Sequence, residues 1–189
     1  MADNTMTQEK QYAPSNILSA VFEWVSAAIV ALIIVAVIFS VFFRIVNVDG
    51  ESMTHTLNDG DRLLVSGFMY TPQYGDIVVI RRVNDTPLIK RIIGLPGDTM
   101  YVNPEDGIVY RNGEALDEPY IRPSTPECPT PARGTPGEVV VQEGEVYVLG
   151  DNRGGSLDSR MLGCQPTDNL VGRVIIRISP EFGKVTNGE

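Results

Sequence analysis

Between Glu23 and Arg44 the chain runs for twenty residues, Trp24 to Phe43, without one charged side chain. As a helix rising about 1.5 Å per residue, such a run spans roughly 30 Å, the hydrocarbon thickness of a bilayer. Ser26 and Ser40 are its only polar interruptions, whereas a buried core helix is usually shorter and keeps one polar face. The sequence therefore predicts one transmembrane α-helix over residues 17–44, preceded by a short polar segment, 1–16, in which Pro14 ends any local structure. A cleaved leader fits less well: the run starts late, no basic cluster precedes it, and Arg44-Ile45-Val46-Asn47 follows in place of a small-x-small site. Lys10 before the run and Arg44 after it give the positive-inside rule little to decide on.

Beyond Arg44 the texture changes to short, Val- and Ile-rich runs broken by Gly, Pro, Asn and Asp. Ile45–Val48, Arg62–Val65, Asp76–Val83, Leu88–Ile93, Gly107–Arg111, Val139–Val141, Glu145–Leu149 and Val171–Ile178 read as strands. Asn112-Gly113 is a type I′ hairpin signal. The expectation is a mainly β domain over 45–189, of packed sheets or a partly open barrel, with an inserted hairpin region over about 99–140. Pro119, Pro123, Pro126, Pro129, Pro131 and Pro136 cannot serve a central strand, so that stretch reads as a long surface loop. The domain after residue 44 carries 13 Lys+Arg against 21 Asp+Glu, about −8, which argues against nucleic acid as a partner. Cys128 and Cys164 match no metal-ligand spacing; a disulfide between them and two free thiols both stay open.

Which residues could carry chemistry? Ser52 follows Gly50, lies eight residues beyond the expected helix, and precedes Met53, an apolar side chain able to anchor the turn. Glycine there lets backbone approach a substrate and leaves amide groups for an oxyanion. By spacing alone, a plain loop serine is the commoner case. The single histidine, His55, stands three positions after Ser52, too near in a loop to align with it, and reads as structural or solvent-exposed. A serine enzyme here would need another base, and lysine can serve. Of the three lysines, only Lys90 lies in an apolar strand, Leu88-Ile89-Lys90-Arg91-Ile92-Ile93. Alternation puts Leu88, Lys90 and Ile92 on one face and Ile89, Arg91 and Ile93 on the other. Desolvation between aliphatic neighbours would favour the neutral amine, while an edge strand would let the stem reach water. The stretch Gly150–Arg160 packs seven polar or charged side chains into eleven residues, either a loop held by internal ion pairs or a solvated one.

Taken together, these segments resemble the bacterial type I signal peptidases, over nearly the whole chain. Gly50-Glu51-Ser52-Met53 resembles that family's nucleophile box, Tyr74-Gly75-Asp76-Ile77-Val78-Val79 its second box, and Ile89 to Asp98 its lysine box. Gly150 to Arg160 resembles its final GDNRxxSxDSR box. The resemblance implies that Ser52 attacks the scissile carbonyl and that neutral Lys90 takes its proton and returns it to the leaving amine. Ser156 would help hold the lysine amine. Asp151, paired with Arg91 or Arg153, and Asp158, paired with Arg160, would brace the site. Gly50, Met53 and Ile89 would line the substrate's path, and the Ser52 amide would supply an oxyanion donor. Two departures stand out: Gly50 replaces the serine that gives some relatives a second donor, and His55 replaces a proline in the usual Ser-Met-x-Pro-Thr run.

What the resemblance implies is a single-pass protease of the bacterial cell membrane, its catalytic domain on the extracytoplasmic side, needing no cofactor or metal. Its partners would be the signal peptides of exported preproteins, cut after a small-x-small motif, with the lipid bilayer and the secretion translocon. The peptide would add as an extended strand beside Ile45–Gly50 and Leu88–Lys90, while Phe68, Met69 and Tyr70 either dip into the membrane interface or belong to the core. A self-cleaving Ser-Lys peptidase of the LexA-like kind would lack the membrane run, and a sortase-like enzyme would need a Cys-His-Arg site. The reading from another class is a catalytically inactive, membrane-tethered β domain that binds peptides.

Overall fold

A computed structural model describes residues 17–83, 85–121 and 137–185. Segment 1–16 and most of the proline-rich stretch, 122–136, lie outside the described residues. The chain divides into two compact units, 1–41 and 42–189.

The first unit is α1, Ile17–Phe42, a 26-residue helix with none of its side chains buried and long and apolar enough to cross a membrane. Its two hydroxyls are turned back on the helix: Ser26 Oγ donates to the Glu23 carbonyl and Ser40 Oγ to that of Val37, both at 2.9 Å. Neither therefore needs water. The helix stops two residues short of the expected boundary, because Phe43 and Arg44 already pair with Ser66 and Val65 as the start of a strand.

That strand, β1 (Phe43–Asn47), opens a seven-stranded antiparallel sheet with β2 (Arg62–Ser66), β3 (Ile77–Ile80), β4 (Leu88–Gly94), β9 (Glu145–Leu149), β10 (Gln165–Pro166) and β11 (Leu170–Ser179). Its order is β1-β2-β11-β3-β4-β9-β10. Between β4 and β9 the chain forms a second sheet from β5 (Thr99–Val102), β6 (Val109–Arg111), β7 (Glu114–Ala115) and β8 (Val139–Val140), in the order β7-β6-β5-β8. The mainly β class expected from the sequence is the class observed. Asn112 and Gly113, both at positive φ, turn the β6–β7 hairpin. The sequence reading passed over β5, the two-residue strand β10, and a one-turn helix, α2 (Ser159–Leu162).

Strand β4 touches all three apolar clusters of the domain. Ile89 packs with Met53, Leu57, Leu63, Val65, Ile77 and Val79, whereas Ile92, backed by Leu88, packs with Val78, Ile80, Val146 and Val148. Up to there the strand alternates as expected. A register shift between Ile92 and Gly94 then turns Ile93 into a third cluster, with Met100, Val102, Val109, Tyr147 and Leu149 from the second sheet and β9.

Candidate active site

Ser52 sits in the loop between β1 and β2. Gly50, at φ +89°, turns the chain there and donates its N–H to Asp59 Oδ1 at 2.8 Å. Met53 and Leu57 are buried in the first cluster and close one turn, Leu57 N–H to the Met53 carbonyl at 2.9 Å. Two apolar anchors thus fix the loop while Ser52 stays half-buried between solvent and core. His55 is exposed and makes no hydrogen bond or ion pair with the described residues.

Lys90 comes to Ser52 from β4, all of which is buried after Leu88. Lys90 as a whole is 1% exposed, so no stem snorkels to water. Nζ donates to Ser52 Oγ at 2.6 Å and to the Ile89 carbonyl at 2.9 Å. Among the described residues no carboxylate pairs with it. Burial pushes the amine down from its ordinary 10.5 to about 8; the negative charges of Asp158 and Asp151 pull it back up, and Arg160 lowers it a little.

Behind this pair lies the polar stretch that follows β9, and it is not solvated: Asp151, Arg153, Asp158, Ser159 and Arg160 are all buried. Asp151 is held bidentately by Arg91, Nε to Oδ1 at 2.9 Å and Nη2 to Oδ2 at 2.7 Å, and accepts Thr56 Oγ1 at 2.5 Å. Arg91 also stacks on the Tyr120 ring, 4.0 Å from its centroid. Of the two partners expected for Asp151, Arg153 is the wrong one: its guanidinium is committed to Glu118, Nη1 to Oε2 at 2.8 Å, and its Nε to the Gly150 carbonyl at 3.0 Å. Asp158 takes Arg160 through Nε and Nη2, both at 2.8 Å, and the Gly150 N–H at 3.1 Å. Burial alone would raise the Asp158 carboxyl, yet Arg160 and that N–H outweigh it and hold the group below the usual range. Ser156, expected to hold the lysine amine, makes no hydrogen bond with it: Ser156 Oγ is buried without a hydrogen-bond partner of good geometry, although near enough to Asp158 to help keep that carboxyl ionised.

A cleft of about 80 Å³ opens beside Ser52 and Lys90. The segment Val46–Asp49 forms one wall, Thr86–Ile89 the other, and Met53 lies at its base. Gly50, Met53 and Ile89 are thus all placed at or next to this opening. Phe68 and Met69 are exposed at 57% and 85%, while Tyr70 is half-buried, its hydroxyl donating to Asp76 Oδ2 at 2.7 Å.

The family described as signal peptidase, peptidase S26, matches residues 21–179 of this chain. The signal peptidase I of Bacillus licheniformis is 40% identical over 162 residues, covering 82% of this chain and 84% of that one. A probable signal peptidase I-1 of Synechocystis is 38% identical, covering 80% and 81%. The chain belongs to the signal peptidase family. It is accordingly an enzyme, a peptidase of the signal peptidase I type. A crystal structure of a signal peptidase I from Enterococcus faecalis, 31% identical, covers 55% of this chain and 97% of its own, with a TM-score of 0.45.

In this signal peptidase, several side chains at the site had been given no role by the sequence. Thr56 and Asn152 fell within the segments that resemble family boxes but were given no role, Tyr120 lay in what read as a surface loop, and Glu118 stood just before it. Contacts between residues distant in sequence pick them out: Thr56 with Asp151, Asn152 with Glu51, Glu118 with Arg153 and Tyr120 with Arg91. No three His, Cys, Asp or Glu side chains converge as metal ligands among the described residues. Cys164 is a free thiol whose pKa burial raises, and Cys128 lies outside the described residues.

Proposed function

We propose that this chain removes signal peptides from exported preproteins after a small-x-small motif, with Ser52 as nucleophile and Lys90 as general base. The observation that carries the reading is the 2.6 Å contact between Ser52 Oγ and an amine that burial has brought to about 8. Near that pH a substantial fraction of the amine is neutral and able to accept the hydroxyl proton. Ser52 Oγ then adds to the scissile carbonyl carbon, and the Ser52 N–H meets the oxygen as it gains charge. Lys90 returns the proton to the departing amine as the C–N bond breaks, and afterwards takes one from the water that releases the acyl group. Asp151 with Arg91, and Asp158 with Arg160, hold the stretch after β9 in place rather than react.

The cleft favours an extended peptide lying between Val46–Asp49 and Thr86–Ile89. Its volume, only a few times that of one water molecule, suits small side chains at the cut. Ser52 follows Phe42, the last residue of α1, by ten positions. If α1 spans a bacterial cell membrane once, the nucleophile stays near the bilayer surface on the extracytoplasmic side, where a signal peptide's cut site and the translocon would also lie.

The test is cleavage of a secretory preprotein in detergent by the parent and by Ser52→Ala, Lys90→Ala and His55→Ala. The reading expects cutting after small-x-small by the parent and His55→Ala, and none by the other two. Activity surviving in Lys90→Ala but lost in His55→Ala would show that the base is misassigned; an inert parent that binds the peptide would favour a tethered binder.

A further inference from the structure

One residue holds the peptide units on both sides of Ser52. The Asn152 N–H donates to the Ser52 carbonyl at 3.0 Å, and the Asn152 side-chain Nδ2 donates to the Glu51 carbonyl, also at 3.0 Å. That second contact matters for chemistry. The Glu51 carbonyl and the Ser52 N–H belong to one planar unit, and in a trans peptide they point in opposite directions. Pinning the oxygen therefore aims the N–H. Accepting a hydrogen bond at the oxygen also polarises the amide and makes its N–H a stronger donor. The Ser52 N–H itself donates to none of the described residues, so it is left for a substrate oxygen.

The Glu51 carbonyl has a second donor, Thr54 N–H at 3.1 Å. Thr54 lies in the same turn and moves with it, so it cannot fix the turn relative to the rest of the site. Asn152 can. It sits between Asp151, clamped by Arg91, and Arg153, clamped by Glu118 and the Gly150 carbonyl. Asn152 makes no hydrogen bond to Lys90 or to Ser52 Oγ, so its effect is separable from that of the base.

We propose that Asn152 is the positioning residue of the oxyanion donor, setting the direction of the Ser52 N–H through the Glu51 and Ser52 carbonyls. This rests on the reading of Ser52 as nucleophile. With Gly50 offering no hydroxyl as a second donor, the orientation of that single N–H carries more of the stabilisation.

The experiment uses the full chain in detergent, a fluorogenic peptide with a small-x-small site, and the variants Asn152→Ala and Asn152→Asp. The aspartate keeps the size and the main-chain bond but has no N–H for the Glu51 carbonyl. Both variants are expected to lose about 10- to 100-fold in kcat, somewhat less than deleting an oxyanion donor outright, with KM within about twofold of the parent. In the uncharged variant, Asn152→Ala, the acid limb of the rate profile near pH 8 stays in place. Affinity for a peptide aldehyde, whose adduct with Ser52 places an oxyanion at this N–H, falls in parallel with kcat, while affinity for an uncleavable peptide does not change. Full kcat in folded Asn152→Ala, rescue by aspartate, a loss confined to KM, or unchanged aldehyde affinity would each overturn the proposal. Ser52→Ala run alongside separates the two claims. If it still cuts, the nucleophile is misassigned and this inference goes with it; if it is dead while the Asn152 variants are fully active, only this inference fails.

Discussion

Replacing Gly150 by alanine places a methyl group where the site has no room. A Cβ built there lies 2.2 Å from Ser156 Oγ, 2.6 Å from Ser156 Cβ and 2.6 Å from the Ser52 carbonyl oxygen. Gly150 does not have a positive φ, so its backbone suits any residue and the clash alone makes the difference. A normal carbon–oxygen contact needs roughly 0.7 Å more than the Ser52 carbonyl allows. Ser156 Oγ can swing aside, though its Cβ moves only with its backbone; the Ser52 main chain cannot shift without carrying Oγ with it. Moving Oγ by that amount stretches its 2.6 Å contact with Lys90 Nζ to the edge of hydrogen bonding. A misplacement of this order costs about 100-fold in rate, whereas the overpacking costs about 1–3 kcal/mol in stability. The assay is kcat for a small-x-small peptide in detergent at saturation, with urea unfolding in parallel. The double variant Gly150→Ala/Ser156→Gly should recover most of the stability but little of the rate, because the contact with the Ser52 carbonyl remains. A folded Gly150→Ala retaining kcat within about threefold of the parent would refute the steric argument.

Three further outcomes are expected. In the parent, kcat rises with pH through an acid limb near 8, where Lys90 loses its proton, and Asp158→Asn moves that limb to lower pH by removing a charge that favours the ammonium; a limb that stays or moves up contradicts this. Because the folded amine titrates near 8 and not at its ordinary 10.5, the unfolded chain binds more protons between those values, so stability rises with pH across that window. Lys90→Met should thus be more stable than the parent at pH 7, by up to about 3 kcal/mol before its two lost hydrogen bonds are counted, with the advantage shrinking towards pH 10.5; equal urea midpoints at both pH values would count against it. Glu118→Ala strands a guanidinium that is 3% exposed beneath the loop after β9, and should cost about 3–5 kcal/mol in urea unfolding; a loss under about 1 kcal/mol would mean that water reaches Arg153.

Much of the fold was legible because period-2 alternation is a local property. Leu88–Ile93 showed its strand and its odd lysine directly, and Asn112-Gly113 its hairpin. Strand β5 was less visible: Thr99-Met100-Tyr101-Val102 alternates, with Met100 and Val102 buried, but it follows a Pro-Gly turn with too few residues to register as a pattern. The helix boundary slipped because Phe43 suits either a membrane helix or a strand, and the pairing with Ser66 decides it. At the site, Lys90 could be picked out as the one lysine among aliphatic neighbours. Ser52 could not be told from other loop serines without the resemblance. The partner of Arg153 was beyond reach, since nothing local distinguishes Glu118 from the other acidic residues around it.

The hydroxyl and the amine that meet at 2.6 Å are 38 positions apart in the chain, and Asp151, which grips Arg91 beside that amine, is 60 positions further on. Strand β4 has to be flanked by β3 on one side and by the much later β9 on the other before either lysine or arginine is enclosed. Contacts of such separation slow folding. A growing chain that has inserted its helix and extruded the first hundred residues already contains both Ser52 and Lys90, yet it lacks the apolar cover that unprotonates the amine and the loop that aligns the serine. If Ser52 and Lys90 are the catalytic pair, a chain shortened before β9 should therefore be inactive, although it contains both residues.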